Sequence, residues 1–124
     1  MEKNRLDILE DERMKQIPFT TPENYFESLE DRIAEILKLA IRDGKGIEIN
    51  TSSWHYGLND TMPSRKILKL YKDLGGTIIT IGSDAHATKY VGDHIREAQL
   101  ILKNEIGFSQ FCTYEKMIPL FHEI

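Results

Sequence analysis

The residues with the clearest potential for chemistry are Asp84 and His86, which follow directly after the apolar run of residues 78–82. A carboxylate oxygen and a neutral imidazole nitrogen are both good ligands for zinc, manganese or iron. The same spacing is also compatible with Asp84 capping a turn while His86 lies at the surface. The Asp-x-His spacing alone therefore leaves a metal site and an ordinary strand end as alternatives.

Two short predicted strands would position these residues. They are GIEIN (residues 46–50) and TIITIG (residues 77–82). In the first strand the two isoleucines share one face and Asn50 lies on the other. If the chain stays extended after the second strand, Asp84 and His86 lie on the polar face of that strand. Ligands bind at the carboxyl ends of parallel strands. We therefore expect the polar residues of both strands to converge there.

Apolar residues at helical spacing predict three helices around these strands. We expect them from Thr21 and Pro22 to the glycines of residues 43–46, from Pro63 or Ser64 to Gly75 and Gly76, and up to about Gly107. Between the elements, residues 51–63 are expected to form a polar loop. Residues 108–114 (FSQFCTY) predict a third strand, and residues 115–124 a tail that packs back as a short turn.

This alternation predicts an α/β protein with about three βα units and a parallel sheet. Three parallel strands leave two open edges, which natural proteins avoid or cover. We expect an edge to be covered by the charged N-terminal segment, by self-association, or by the remainder of a larger fold. Residues 1–20 are interpreted as a charged arm or short helix, separate from residues 21–124.

Composition excludes several classes of function. The 124 residues include 16 Lys and Arg against 20 Asp and Glu, a net charge of −4, so the basic excess typical of nucleic-acid binding is missing. No apolar run is long enough to cross a bilayer, and the N-terminus is too charged for a signal peptide. The single Cys112 permits no internal disulfide, which favours a reducing compartment. We expect a cytoplasmic protein that contacts neither membrane nor nucleic acid.

Three segments in order resemble the C-terminal part of PHP-superfamily phosphatases, and most closely the histidinol-phosphate phosphatases of histidine biosynthesis. They are GKGIEINTS (residues 44–52), MPSRKILKLYKDLGG (62–76) and IITIGSDAH (78–86), and the ending FCTYEKMIPLF (111–121) is also similar. The resemblance implies that residues 21–124 form part of a distorted barrel of βα units, longer than this chain. It also implies divalent metals at the mouth of that barrel and hydrolysis of a small phosphate monoester. The last metal-ligand motif of the family corresponds to Asp84 and His86.

The chain departs from that family in its histidines. The family's first metal motif is His-x-His, and no pair among His55, His86, His94 and His122 has this spacing. A hydrolytic metal site needs about three protein ligands, whereas Asp84 and His86 supply two. A complete site would therefore need ligands from another polypeptide or from a longer version of this one, and we expect little or no turnover from the 124 residues alone.

The resemblance also places a phosphate site in the loop after the first strand. Relatives often carry an arginine or lysine there, and this chain has His55 between two aromatic residues. We expect Asn50, Ser52 and His55 near the substrate, with His55 contacting phosphate when protonated. The alternative for His55 is a surface loop histidine. Arg65 is expected on a helix face and His94 within the third helix.

Two functions remain open from the sequence. The first is a metal-dependent phosphomonoesterase of the histidinol-phosphate type, holding zinc, manganese or iron once its site is completed by a complementing chain. The second is a non-catalytic α/β remnant that acts as an interaction or oligomerising domain, for which a homo-oligomer is expected. The missing His-x-His motif separates them and favours the second for the isolated chain.

Overall fold

The computed structural model describes residues 25–124. The expectations for residues 1–20 and for a helix start at Thr21 and Pro22 lie outside this range. The elements in chain order are helix α1 (Tyr25–Arg42), strand β1 (Ile47–Asn50), helix α2 (Ser52–His55), helix α3 (Arg65–Asp73), strand β2 (Ile79–Gly82), a 3₁₀ turn (Thr88–Tyr90), helix α4 (Ile95–Ile101) with a π-helical turn (Leu102–Ile106), and strands β3 (Gln110–Glu115) and β4 (Ile118–Glu123). No helix in this range is long and apolar enough to cross a membrane.

The boundaries of α3 follow from its sequence as expected. Ser64 precedes the helix, and its hydroxyl accepts a hydrogen bond from the backbone N–H of Ile67 at 3.4 Å, which satisfies one of the free donors of the first turn. At the other end Gly75 has φ +96°, and the N–H of Gly76 donates to the carbonyl of Tyr71 at 2.9 Å. A left-handed glycine that returns a hydrogen bond to the last turn is a common helix end. The predicted start and end of this helix are confirmed.

The two predicted strands around the chemical residues form a parallel pair. Ile47 pairs with Ile79 and Asn50 with Gly82, so the polar ends of both strands lie at the same edge. Ile49 and Ile79 are completely buried in a core that also contains Leu68, Tyr71, Ala98 and Leu102. The predicted division into an apolar and a polar face is confirmed, because the helices cover the isoleucine side of the pair.

The start of β2 is fixed by a buried tyrosine. The hydroxyl of Tyr71 donates to the carbonyl of Ile78 at 2.8 Å and accepts from the N–H of the same residue at 3.2 Å. Tyr71 is 1% exposed, and burial raises the pKa of its hydroxyl. A Cβ at Gly76 would lie 2.3 Å from this ring, so the glycine permits the close approach. The end of α3 and the strand that leads to Asp84 are thereby held together.

The prediction of a third parallel strand is wrong. Strand β3 pairs with β4 in an antiparallel hairpin, and the described residues contain only two parallel strands. Lys116 and Met117, with φ of 48° and 68°, reverse the chain within two residues. Because the hairpin pairs the backbone of β3 locally, the expected tail is a strand of its own. The α/β class is confirmed, with two parallel strands and a separate antiparallel pair.

The loop of residues 51–63 also differs from its prediction. Its first part is helix α2, and Met62 returns to form an isolated antiparallel bridge with Asn50. The N–H of Asn50 donates to the carbonyl of Met62 at 2.8 Å. This bridge covers the outer edge of β1 at its carboxyl end, beside the polar residues.

Candidate functional site

The carboxyl ends of β1 and β2 form one small cavity. The N–H of Thr51 donates to the carbonyl of Gly82 at 2.8 Å, which extends the parallel pairing past the end of β1. The cavity has a volume of about 110 Å³, enough for a few water molecules or one small anion. Its lining consists of Thr51, Ser52, His55, Tyr56, Ser83, Asp84, Ala85, His86, Ala87, Tyr90 and Asp93. The structure therefore brings Ser52, His55, Asp84 and His86 together, although β2 ends at Gly82 and the chain does not stay extended as far as His86.

Asp84 occupies an unusual backbone position. Its φ is +48°, in the left-handed region that residues other than glycine and Asn or Asp rarely adopt. Its side chain is exposed, and Oδ2 accepts a hydrogen bond from Nδ2 of Asn50 at 3.2 Å. The turn aims the carboxylate back across the strand ends, where it meets a side chain of the neighbouring strand.

His86 is oriented by the backbone of the same turn. Its Nδ1 lies 2.8 Å from the carbonyl oxygen of Asp84. Since a carbonyl oxygen only accepts, Nδ1 carries the proton of this hydrogen bond, which leaves a lone pair on Nε2. Imidazole metal ligands usually donate their second ring nitrogen in this way. The contact gives His86 the tautomer that suits a ligand.

Asn50 ends β1 directly before the lining residues Thr51 and Ser52, and both ends of its amide are engaged. Its Nδ2 donates to Asp84, and its Oδ1 accepts from the N–H of Ser52 at 2.9 Å. Ser52 itself is 8% exposed. The predicted proximity of Asn50 to the other site residues is thus present, and its amide links the two strand-end loops.

One further hydrogen bond ties the loop after β2 to the end of β1, and a second closes that loop on itself. The hydroxyl of Thr51 donates to the carbonyl of Asp93 at 2.6 Å, and the hydroxyl of Ser83 accepts from the N–H of Gly92 at 3.2 Å. Both contacts fold residues 83–94 over the cavity. Thr51 and Ser83 are not among the residues predicted for the site, although each directly follows a predicted strand and that position was the available signal.

Aromatic contacts form one wall of the cavity. The ring of His55 lies 4.0 Å from that of Tyr90 and 5.1 Å from that of Tyr56, measured between centroids. Trp54 stacks instead on His94, with centroids 5.5 Å apart and planes within 11°. The expectation that His94 lies within the third helix is wrong by one residue, because α4 begins at Ile95 and His94 precedes it with φ +57°.

The nearby Arg65 is committed to another interaction. Its guanidinium bridges Asp60 at 2.9 Å and Glu105 at 2.5 Å. Burial raises the pKa of the Asp60 carboxyl, but hydrogen bonds from Arg65 and the backbone outweigh it and lower that pKa overall. The hydrogen bond from Arg65 also lowers the pKa of Glu105. Arg65 therefore ties α3 to the π-helical turn and does not line the cavity.

The described residues do not complete a metal site by themselves. Residues 25–124 contain no group of three or more His, Cys, Asp or Glu side chains placed to hold a metal ion. Asp84 and His86 are two donors of suitable chemistry, each oriented by a hydrogen bond. A hydrolytic metal centre needs about three protein ligands, and this pair supplies two donors.

A polar cavity at the carboxyl ends of parallel strands is the usual location of an active site in α/β proteins.

Three curated proteins are similar to the chain. A probable histidinol-phosphatase of Thermotoga maritima is 38% identical over 63% of the chain, and one of Clostridium acetobutylicum is 34% identical over 82%. A histidinol-phosphatase of Lactococcus lactis subsp. lactis is 29% identical over 81%. The predicted resemblance to histidinol-phosphatases is confirmed.

The similarity covers only part of those relatives. The matched segments are 33% to 36% of their lengths, so the chain spans about a third of the proteins it matches. No family model matches the chain, and no solved structure is significantly similar to it. The activity of a whole relative is therefore not transferred to this chain by similarity alone.

Proposed function

We propose that the chain supplies one side of the active site of a metal-dependent phosphomonoesterase of the histidinol-phosphatase type. The observation that carries the proposal is the pair Asp84 and His86 at the cavity mouth, each already oriented by a hydrogen bond. The names of the similar proteins support the reaction class. Zinc, manganese or iron is the expected cofactor, because carboxylate and imidazole suit all three.

The charge of the residues that line the cavity supports the binding of a cation before the binding of substrate. Its lining contains two aspartates and two histidines, and none of the described lining residues is Lys or Arg. Charge-assisted hydrogen bonds from cationic groups are what usually hold a phosphate. A cavity of this charge attracts a divalent cation more readily than it attracts a phosphate. The substrate would follow, with Asn50, Ser52 and His55 proposed on its side of the cavity.

The proposal requires donors beyond Asp84 and His86. We expect them from a complementing polypeptide or from the remainder of a longer barrel, since copies of this chain repeat the same pair. The described residues alone are then expected to give little or no turnover. This requirement also separates the proposal from a remnant without activity, in which Asp84 and His86 would bind nothing.

The first experiment measures metal content by elemental analysis after the chain has been mixed with the portion of the Thermotoga maritima relative that it does not match, because that portion is proposed to supply the remaining donors. The wild type is compared with the double variant Asp84→Ala/His86→Ala and with the control Asp31→Ala/His122→Ala, which removes the same residue types at exposed positions. Stoichiometric zinc, manganese or iron in the wild type and the control, lost in the first variant, is the expected result. Equal metal in all three proteins, or none in any, would overturn the assignment of these ligands.

The second experiment tests turnover. The chain is assayed on histidinol phosphate with Mn²⁺, alone and mixed with the portion of the Thermotoga maritima relative that it does not match. We expect hydrolysis from the mixture, and none when the chain carries Asp84→Ala/His86→Ala. Hydrolysis that is unaffected by the double variant would contradict the proposal.

A further inference from the structure

We propose that Asn50 is a positioning residue for Asp84, and that its side chain sets the direction of that carboxylate. The inference rests on the proposed function, because it concerns the carboxylate proposed to act as a ligand. It differs from the expected substrate role of Asn50 in assigning the amide a partner within the chain. Both polar atoms of the amide are engaged, one with Asp84 and one with the backbone of Ser52.

The register of the strands explains how Asn50 reaches Asp84. Asn50 is paired with Gly82, and Asp84 lies two positions further along the same chain. The left-handed turn at Asp84 brings its carboxylate within hydrogen-bond distance of the Asn50 amide. Since Gly82 has no side chain, nothing on the paired residue stands between the amide and the carboxylate.

The Asp84 carboxylate would otherwise turn freely. It is exposed, and within residues 25–124 Asn50 provides the hydrogen bond that it receives. An exposed aspartate has several staggered rotamers available. Asn50 is itself anchored, since its backbone N–H is bound to Met62 and its Oδ1 to Ser52. Because the Asn50 amide is held in place, its hydrogen bond restricts the rotamers of the Asp84 carboxylate. A hydrogen bond between two mobile side chains would restrict neither of them.

An asparagine suits position 50 better than an aspartate or an alanine would. Its amide has a donor group, Nδ2, and an acceptor, Oδ1, and the two contacts use one of each. An aspartate at position 50 would keep the acceptor for Ser52 but would place a second negative charge beside Asp84. An alanine would lose both contacts. The pair Asn50→Asp and Asn50→Ala thus separates the support of the loop from the orientation of the carboxylate.

The first test follows the side-chain amide signal of Asn50 in nitrogen–proton correlation spectra of the full chain. The exposed Asn59 and Asn104 provide reference signals. In the wild type we expect the Asn50 signal to be displaced from these references and to exchange more slowly with water. Asp84→Gly, which removes the carboxylate and tolerates the left-handed backbone, should move the Asn50 signal to the reference position. An Asn50 signal that does not respond to Asp84→Gly would overturn the inference.

The second test measures Mn²⁺ affinity by water proton relaxation, with the chain mixed with the portion of the Thermotoga maritima relative that it does not match. Second-sphere partners of metal ligands typically contribute about 10- to 100-fold in affinity, so we expect Asn50→Ala to weaken binding by about that factor. Asn104→Ala should bind as the wild type does, and thermal unfolding verifies that each variant is folded. Unchanged affinity in Asn50→Ala, beside lost binding in Asp84→Ala, would overturn the positioning role.

These outcomes also separate this inference from the proposed function. If the wild type binds no Mn²⁺ that depends on Asp84, the metal assignment fails. The response of the Asn50 amide signal then still decides whether Asn50 orients the carboxylate.

Discussion

The hydroxyl of Thr51 makes the shortest hydrogen bond between the two strand-end loops, and its removal tests whether this bond holds the site together. Thr51 is 2% exposed, and its Oγ1 donates to the carbonyl of Asp93 at 2.6 Å. Thr51→Val keeps the branched shape while removing the donor. The backbone of Thr51, with φ −83° and ψ −1°, is open to valine without left-handed strain.

The size of the effect follows from what each partner loses. A typical intramolecular hydrogen bond contributes about 1 kcal/mol net, and a buried acceptor left without a partner costs about 1–3 kcal/mol. The Asp93 residue is only partly buried, so water can replace part of the lost contact. We therefore expect Thr51→Val to lower the free energy of unfolding by about 1–2 kcal/mol.

Two measurements check this expectation. Urea unfolding gives the change in free energy, provided that the slope with denaturant is unchanged. Amide hydrogen exchange shows where stability is lost, and residues 83–94 should exchange faster while α3 does not. Thr113→Val is the matched control, because its hydroxyl contacts His122 at an exposed position. We expect that control to stay within about 0.5 kcal/mol of the wild type.

One result would refute this reasoning. If Thr51→Val unfolds like the control and residues 83–94 exchange as in the wild type, the hydroxyl does not hold the loop. The loop would then depend on Ser83 and on the aromatic contacts, and the cavity would not owe its shape to Thr51.

The remaining predictions concern the elements beneath the site. Tyr71→Phe leaves the partly buried N–H of Ile78 without its partner, so we expect the free energy of unfolding to fall by about 1–2 kcal/mol; a change near zero in urea unfolding would contradict this. Arg65→Leu removes the bridge to Asp60 and Glu105 and should lower the midpoint of thermal unfolding at neutral pH. Because the pKa values of both carboxyls are lowered in the folded chain, this stabilisation is present at neutral pH and lost in acid. The difference from the wild type should therefore shrink as the pH falls below about 4, and a constant difference would refute it.

Exposed residues of the same types provide controls for both variants. Tyr56 is 70% exposed, so Tyr56→Phe should leave the free energy of unfolding nearly unchanged. Arg42 pairs with its neighbour Asp43 at the surface, where an ion pair contributes little. Arg42→Leu should therefore show little of the pH-dependent loss expected for Arg65→Leu.

The sequence predicted the parts of the fold that depend on local signals. The Ser64 cap and the Gly75 stop lie within a turn of the helix that they bound, so a short stretch of sequence contains the whole cause. The faces of β1 and β2 follow from alternation, which requires no knowledge of the partner strand. The convergence of Asn50 and Asp84 at one edge could be predicted because the carboxyl ends of parallel strands lie together, and their hydrogen bond agrees with it.

The hairpin of β3 and β4 could not be predicted because its turn lacks the usual signal. Two-residue hairpin turns favour Asn-Gly or Asp-Gly, whose residues readily adopt positive φ. This chain has Lys116 and Met117 at those positions, both with positive φ. Pairing along six residues of each strand outweighs the local preference of the turn.

The contacts within the site depend on partners that are distant in sequence. Asn50 and Asp84 are 34 residues apart, and Thr51 and Asp93 are 42 apart. A residue type restricts what such a side chain can bind but does not identify its partner. The sequence therefore placed Asn50 beside the substrate, whereas the fold gives its amide two partners within the chain.

The charge balance of the cavity decides the order in which its ligands could bind. Asp84 and Asp93 lie in its lining, and the nearby Lys89 directs its Nζ over the ring of Tyr90, 4.9 Å from the centroid. Arg65 is bound to two carboxylates and is not free to turn towards an anion. A phosphate monoester entering this cavity would therefore meet negative charge unless a cation were already present. Metal binding is thus the step on which the proposed reaction depends, and metal content is more informative than turnover as a first measurement on this chain.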